Sequence, residues 1–486
     1  MAAHVISGRG LTPGEVVALA RREAQAVTLD PAAVAAMDRA HARVESAARR
    51  QAVYGRSTGV GANRDVVSSD PGHGVRLAAS HATTGATPYP DDVVRAAVLI
   101  RVNQLARGGS GVSSAVAVAL VDRLNRGDLP ALHRGAALGI GDIGALAELG
   151  LALGDALEGP DALALLSSNA LTLAECCVAV TDTRALLDVV PVVAALTLTA
   201  LRGSSEPFDT RVHSARPHRG QSRVAARMRA LLDGSPVAAA HVQDSFGLRA
   251  FAQVVGPAYE ALDELDRATE VDLNAAAESP LVADDAILHN GNWHAMPIAL
   301  RLDALRLTLY GVATLSAARL TNLMDPELTG LRGFLADGPA GSSGALMLEY
   351  VAQDALASLR GDAQPATLGS VSLSHGVENH ASFAPQAVEQ TMRLQSRLRT
   401  VLACELVAAC RAVGLADVTP RDLRPAGIAS HLADAVTVLP ADLADRPLRD
   451  DIEAAERLVV EWGEPSRQQV ELDEARDDMT GDRRSE

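Results

Sequence analysis

The chain has no lysine: all 44 of its basic residues are arginine. An internal Schiff base with a pyridoxal cofactor is therefore excluded, and so is the lysine of a Walker-type phosphate loop. Aromatic residues make up only 2% of the 486, so the core must be aliphatic. Cysteine is scarce. Cys176, Cys177, Cys404 and Cys410 show neither CxxC nor zinc-type spacing, which fits a reducing cytoplasm, with Cys176 and Cys177 a buried helical pair. Positive charge is in deficit, with a formal net charge of −16, which argues against nucleic acid because phosphate binding relies on clustered cations. Long apolar runs are missing too. The longest uncharged one, Val189–Leu201, has 13 residues and contains Pro191, short of the roughly 20 that a bilayer requires. The opening MAAHVISGRG has neither the basic start nor the apolar centre of a signal peptide. These absences leave a small molecule as the expected partner and the cytoplasm as the expected location, with no membrane involved.

What is present is a globular composition, 48% hydrophobic and dominated by alanine and leucine, which favours helices over sheet. Residues 13–53 carry two helical segments, the first opening at Thr12-Pro13-Gly14-Glu15 with a capping threonine and a proline at the first helical position. Residues 91–126 are helical with an interruption at RGGSG (107–111). Residues 161–201 form a strongly apolar helical region, and long helices fill 242–327 and 342–414 on either side of a Gly/Pro/Ser-rich connection at 331–344. The expected fold is mainly α. Its expected division is an N-terminal active-site region, 1–202, and a helical-bundle region, 203–463, opened by the irregular stretch 203–221. A charged tail, 464–486, is expected to be disordered.

The stretch Gly135–Ala147, GAALGIGDIGALA, spells G-x-G-x-x-G at 139, 141 and 144. Asp142 is placed to cap a helix running through Leu146, Leu149, Leu151 and Leu153, whose positive end would face the glycine turn. A phosphate or a developing negative charge on a substrate would suit that position. A dinucleotide reading, an NAD-dependent oxidoreductase, requires a strand before the glycines, and LPALHRGAAL (129–138) has no β-branched or aromatic run.

Other candidates are single residues. Tyr54 sits in a glycine-rich loop, YGRSTGVGAN (54–63), of the kind that serves as a plain connection or a lid. Ser167-Ser168-Asn169 is a polar cluster in a greasy run, which either caps a helix or lines a cavity. Arg249 in VQDSFGLR is a possible carboxylate anchor on a helical platform, and Glu378 lies between His375 and His380 where it could tune proton transfer. The pairs His213/His218, His289/His294 and His375/His380 are all spaced i, i+5, off the i, i+4 spacing of a helical zinc site, so no metal is expected.

In order along the chain, YGRSTGVG, SHATTG (80–85), N-x-L-x-RGxSG (103–111), GAALGIGD, LALLSSNALT (163–172), EPFDTRVHSARPHRGQ, VQDSFGLR, AESPLV (277–282), NGNWHA (290–295) and ENHASFAP (378–385) resemble the successive motifs of the histidine/phenylalanine ammonia-lyase family. Ser80-His81 and the Glu378–His380 segment resemble its histidine branch. The resemblance implies a mainly α homotetramer with long central helices and active sites shared between subunits. It also implies roles: Tyr54 as the proton-abstracting tyrosine, Arg249 on the substrate carboxylate, Glu378 as a second catalytic group that lines the pocket around the substrate's side chain with His81, and Ser167, Asn169, Gln243 and Phe246 around the substrate.

The departure falls at the glycine turn. The family cyclises an Ala-Ser-Gly triad into an electrophilic methylidene-imidazolone, and the matching positions here read Gly139-Ile140-Gly141. Isoleucine has no hydroxyl to lose. The asparagine of the family's LLNGT-like motif is Ser167, and the tyrosine of its QDxYSLR-like motif is Phe246. The resulting expectation is a lyase, cyclase or isomerase with no cofactor, acting through a tyrosine base on a small carboxylated substrate, plausibly in bacterial specialised metabolism. The alternatives are a catalytically silent relative kept for binding or assembly, and an ordinary histidine ammonia-lyase.

Overall fold

A chain so rich in alanine and leucine should fold as helices, and the computed structural model, which describes residues 3–21, 25–70, 72–157, 159–232, 239–416, 418–419 and 426–463, is mainly α. The tail 464–486 lies outside the described residues. The chain opens on a parallel pairing of β1 (His4–Ile6) with β2 (Val27–Leu29), His4 opposite Val27. Between them, α1 (Pro13–Arg21) starts as its sequence predicts. Thr12 N and Oγ1 both donate to Glu15 Oε2 at 2.9 Å, Glu15 N donates back to Thr12 Oγ1 at 3.3 Å, and Pro13 sits where no amide donor is needed. α2 (Pro31–Ala48) repeats the device with Asp30, which accepts from Ala32 N at 3.0 Å.

There follow α3 (His73–His81), α4 (Asp91–Ala106), α5 (Ser114–Arg126), α6 (Ile143–Ala152), α7 (Ala162–Leu166) and the 31-residue α8 (Ala170–Ala200). Then come α9 (Thr210–Ala215), α10 (Arg219–Leu232), α11 (Phe246–Arg249) and α12 (Phe251–Leu273). A short antiparallel pair, β3 (Leu281–Val282) and β4 (Ile287–Leu288), precedes α13 (Met296–Met324). α14 (Pro326–Thr329), α15 (Met347–Asp362), α16 (Ala384–Leu415), α17 (Ala426–Val438) and α18 (Arg449–Gly463) complete the chain.

Contacts divide it into two compact units, each built from separate stretches. Unit 1 takes Met1–Thr181, Asp263–Ala304 and Pro365–Thr391; unit 2 takes the rest. The stretch 203–221, expected as a boundary, lies wholly in unit 2 and is partly helical, with α9 and the start of α10.

Unit 1 is organised on α4, which is buried from Val93 to Ala106 on every face and is packed by α1, α2 and α5. Its polar residues are tolerated there because they are partnered. Asn103 accepts from Gly8 N at 3.0 Å and donates to Leu273 O at 3.0 Å, while Gln104 Nε2 donates to Asp272 O at 3.1 Å. In unit 2 the buried Glu405 is satisfied on both oxygens by Arg319 at 2.7 Å, with Thr197 and Ser316 hydroxyls at 2.6 Å. Pro191 lies inside α8 and lacks the N–H that would bond Leu187 O, four residues back. The Tyr259 hydroxyl takes that place, donating to Leu187 O at 2.6 Å.

The run Val189–Leu201 understated the apolar character of this region. The helical segment 162–200 is long and apolar enough to cross a membrane by length and composition, and 78% of its most apolar window is buried within the protein.

Candidate active site

The glycine turn lies in unit 1, ahead of α6, with Gly139 at φ +76° and Gly141 at φ +104°. No strand leads directly into it, so the dinucleotide reading lacks its βα unit. Its backbone is pinned from several directions. Gly139 O accepts from Ser382 Oγ at 2.9 Å and from Ala295 N at 3.3 Å, and Phe383 N donates to Leu138 O at 2.9 Å. Asn169 Oδ1 accepts from Gly141 N at 3.1 Å, and Asn169 Nδ2 donates to Trp293 O at 2.5 Å. A Cβ on Gly139 would lie 1.9 Å from Ser382 Oγ and 2.9 Å from the backbone nitrogen of Ala384, so the position demands glycine on space as well as on φ.

Asp142 occupies the residue before α6, and its carbonyl accepts from Leu146 N at 3.0 Å, but its side chain does not cap that helix. The carboxylate instead accepts from Thr172 N at 2.8 Å and Thr172 Oγ1 at 2.7 Å, in the first turn of α8. The expected cap is thus given to a different helix, because burial next to α8 offers two donors there. Burial pushes the Asp142 carboxyl up to about 6, against the lowering effect of Thr172 and with a further push from Glu175. Glu175 is itself raised by burial, although Arg134 is bonded to it.

Tyr54 begins a loop that closes on itself. Its phenol oxygen accepts from Gly61 N at 2.8 Å, Gly59 N donates to Val66 O at 2.9 Å, and Ala62 N donates to Ser374 Oγ at 2.8 Å. The last bond ties it to a second tight loop, Leu373–Glu378, in which Ser374, His375 and Gly376 all have positive φ and Leu373 N donates to Glu378 O at 2.8 Å. The Glu378 carboxylate makes no hydrogen bond among the described residues. Tyr54 also meets His289, whose Nε2 accepts from Tyr54 N at 3.4 Å and whose ring packs edge-on at 6.4 Å. The phenol lies above its ordinary value: desolvation raises it, the Gly61 N–H lowers it, Glu378 raises it and Arg64 lowers it. His81 ends α3 and holds Leu77 O at 2.8 Å through Nδ1, which leaves Nε2 as the ring's free position.

Two residues that spacing alone missed are brought together here. His294 Nε2 and His380 Nδ1 are 2.9 Å apart, one member from each of two i, i+5 pairs. They flank the groups that hold the turn: Ala295 and Ser382 both bond Gly139 O. The signal was the pair of motifs NWH and ENH, read as separate pairs when the partners lay across them. Burial, then His380, lowers the His294 imidazole.

Next to this lies a cavity of about 20 Å³, lined by Ser167, Asn169, Trp293, His294 and Glu278 among others, with room for about one water. The buried Glu278 binds Arg101 at 2.8 Å through one oxygen and leaves the other without a partner among the described residues. Of the two roles open to it, the SSN cluster lines the cavity; Ser167 ends α7 only through its backbone N–H to Leu163 O, with no side-chain cap.

The remaining candidates belong to unit 2. Arg249 closes the four-residue α11, and its guanidinium lies 3.9 Å from the Phe246 ring centroid. With its amide oxygen turned toward the guanidinium, Gln243 accepts from Arg249 Nε at 3.0 Å. These three form one cluster.

The sequence profile described as "Aromatic amino acid lyase" matches residues 11–156 and 155–436. The chain belongs to the aromatic amino acid lyase family. Among curated aromatic amino acid lyases it is similar to the histidine ammonia-lyase of Geobacillus thermodenitrificans, 32% identical over 93% of this chain and 96% of that protein. The histidine ammonia-lyase of Koribacter versatilis is also 32% identical, over 94% and 98%. Among solved lyase-fold structures, the tyrosine aminomutase of Streptomyces globisporus superposes with a TM-score of 0.86 at 26% identity, covering 95% of this chain and 97% of that one. Ergothionase from Treponema denticola reaches a TM-score of 0.88 at 24% identity, over 95% and 99%, a likeness of fold.

Proposed function

We propose that the protein is a lyase-family enzyme that works without a self-formed electrophile, on a small carboxylated substrate carrying its own activation. The observation that carries this reading is at residues 139–141. An alanine at 139 would collide with Ser382 and Ala384, and Ile140 offers no hydroxyl, so the residues present do not fit a methylidene-imidazolone. Without it, an amino acid's weakly acidic β-hydrogen and poor ammonia leaving group have no source of the missing stabilisation.

A substrate with a conjugated carbonyl or a better leaving group has less to overcome. The Tyr54 phenolate takes the carbon-bound proton, the C–H electron pair becomes the new C=C bond, and the leaving group departs with its bonding electrons; addition is the same step reversed. The Gly61 N–H and Arg64 favour the phenolate. Arg249, stacked on Phe246, supplies a fork suited to a carboxylate.

Ordinary histidine deamination is the second reading, favoured by the identity to histidine ammonia-lyases. Intact-mass measurement separates the two. An unmodified chain mass is expected; a deficit of two waters mapped to 139–141 would overturn the electrophile-free reading.

A further inference from the structure

Unit 2 contains a cavity of about 250 Å³ formed by the C-terminal part of α16, the end of α17 and the loop 439–448. Much of its wall lies beyond residue 436, where the match to the family profile ends. Val407, Val436, Leu439 and Leu448 make that wall aliphatic. Arg411 lines it as well and is only 7% exposed.

The Arg411 guanidinium is oriented by two backbone carbonyls, Leu335 O at 2.7 Å from Nε and Leu443 O at Nη2. Neither carries a charge. No carboxylate comes within ion-pair distance of it among the described residues, and the cavity's other guanidinium, Arg446, is closed on Asp451 at 2.6 and 2.8 Å. A buried cation with no direct ion pair is unfavourable. Burial and then Arg446 lower the Arg411 guanidinium from its usual range, and the carboxylates of Asp337, Asp445 and Asp451, beyond ion-pair distance, offset this only in part. Cys410 does not compete as an anion, since burial pushes its thiol up to about 12.

We propose that this cavity is a binding site for a small aliphatic monocarboxylate, its carboxylate on Arg411 and its chain against Val407, Val436 and Leu439. One open guanidinium edge matches one carboxylate. A dianion such as phosphate is disfavoured by Asp442 and Asp451 on the same wall, and the aliphatic surface would give it nothing.

The test is calorimetric titration of hexanoate into full-length protein carrying Arg249→Gln, which removes the carboxylate anchor proposed for the other site. Saturable binding at one site per chain is expected, at least tenfold tighter than that of hexanamide. Adding Arg411→Gln should weaken it at least tenfold. So should adding Val436→Phe, which crowds an exposed wall position without touching the arginine. Absence of saturable binding, equal binding of hexanamide, or retention of hexanoate binding in either double variant overturns the proposal. If Arg411→Gln fails to fold, the hexanamide comparison and Val436→Phe decide it.

Discussion

Tyr54 concentrates the proposed chemistry on one oxygen atom, and its surroundings set a pH signature. Desolvation and Glu378 outweigh Gly61 and Arg64, so the phenol lies above its ordinary value. A base with a raised pKa is mostly protonated at neutral pH. Turnover should then climb about tenfold per pH unit through neutrality and beyond pH ~9, since an ordinary phenol titrates near ~10. A plateau by about pH 8 would assign the base to another group. Tyr54→Phe keeps the ring against His289 and removes the acceptor of Gly61 N. It should cut turnover by ~10²-fold or more, while the melting temperature moves only slightly, one hydrogen bond being worth about 1 kcal/mol. Full retained rate in an active enzyme would remove tyrosine from the mechanism. At residue 139, Gly139→Ala forces a Cβ into Ser382 and Ala384 at a positive φ and should cost roughly 1–3 kcal/mol from backbone strain alone. Gly139→Ala with Ile140→Ser is accordingly expected to lower the melting temperature and not to restore histidine deamination. Urocanate formation by that double variant would show that the turn can relax.

At the scale of elements, α6 and α8 meet at Asp142, and a carboxyl buried there couples their stability to pH. Its folded pKa, about 6, is above the ordinary 3.8, so the folded state binds the proton more tightly than the unfolded chain does. The contribution of Asp142 to stability is therefore full below about pH 4 and is lost as pH rises through about 6, by on the order of 3 kcal/mol for a shift of this size. The melting temperature of the wild type should rise on going from about pH 7.5 to about pH 5.5, and Asp142→Asn should shrink that rise. An undiminished rise in the variant would exclude Asp142 as its source.

Helix starts were legible in the sequence, because a cap such as Thr12-Pro13-Gly14-Glu15 is settled within one turn. The partner of Asp142 was not, since Thr172 is 30 residues away and local spacing cannot choose between two helix ends. For the same reason the sequence placed Tyr54 and Glu378 in loops but could not see that Ala62 and Ser374 join those loops, or that His294 faces His380.

For the whole molecule, a homotetramer is the expected assembly. α15 presents Met347 and Tyr350, three residues apart and 58% and 62% exposed, an apolar face that a subunit contact would cover. Light scattering at micromolar concentration should give about four times 50.5 kDa, and a stable monomer would break the expectation. Within unit 2, the tyrosine that substitutes for a missing amide has a bearing on the order of events during synthesis. The carbonyl of Leu187 gets its partner from Tyr259, not from Pro191. A nascent chain emerges from its N-terminus at about 5–20 residues per second. The middle of α8 is therefore complete in sequence seconds before the bond that α12 supplies to it can form, and until residue 259 leaves the ribosome that carbonyl must be held by water.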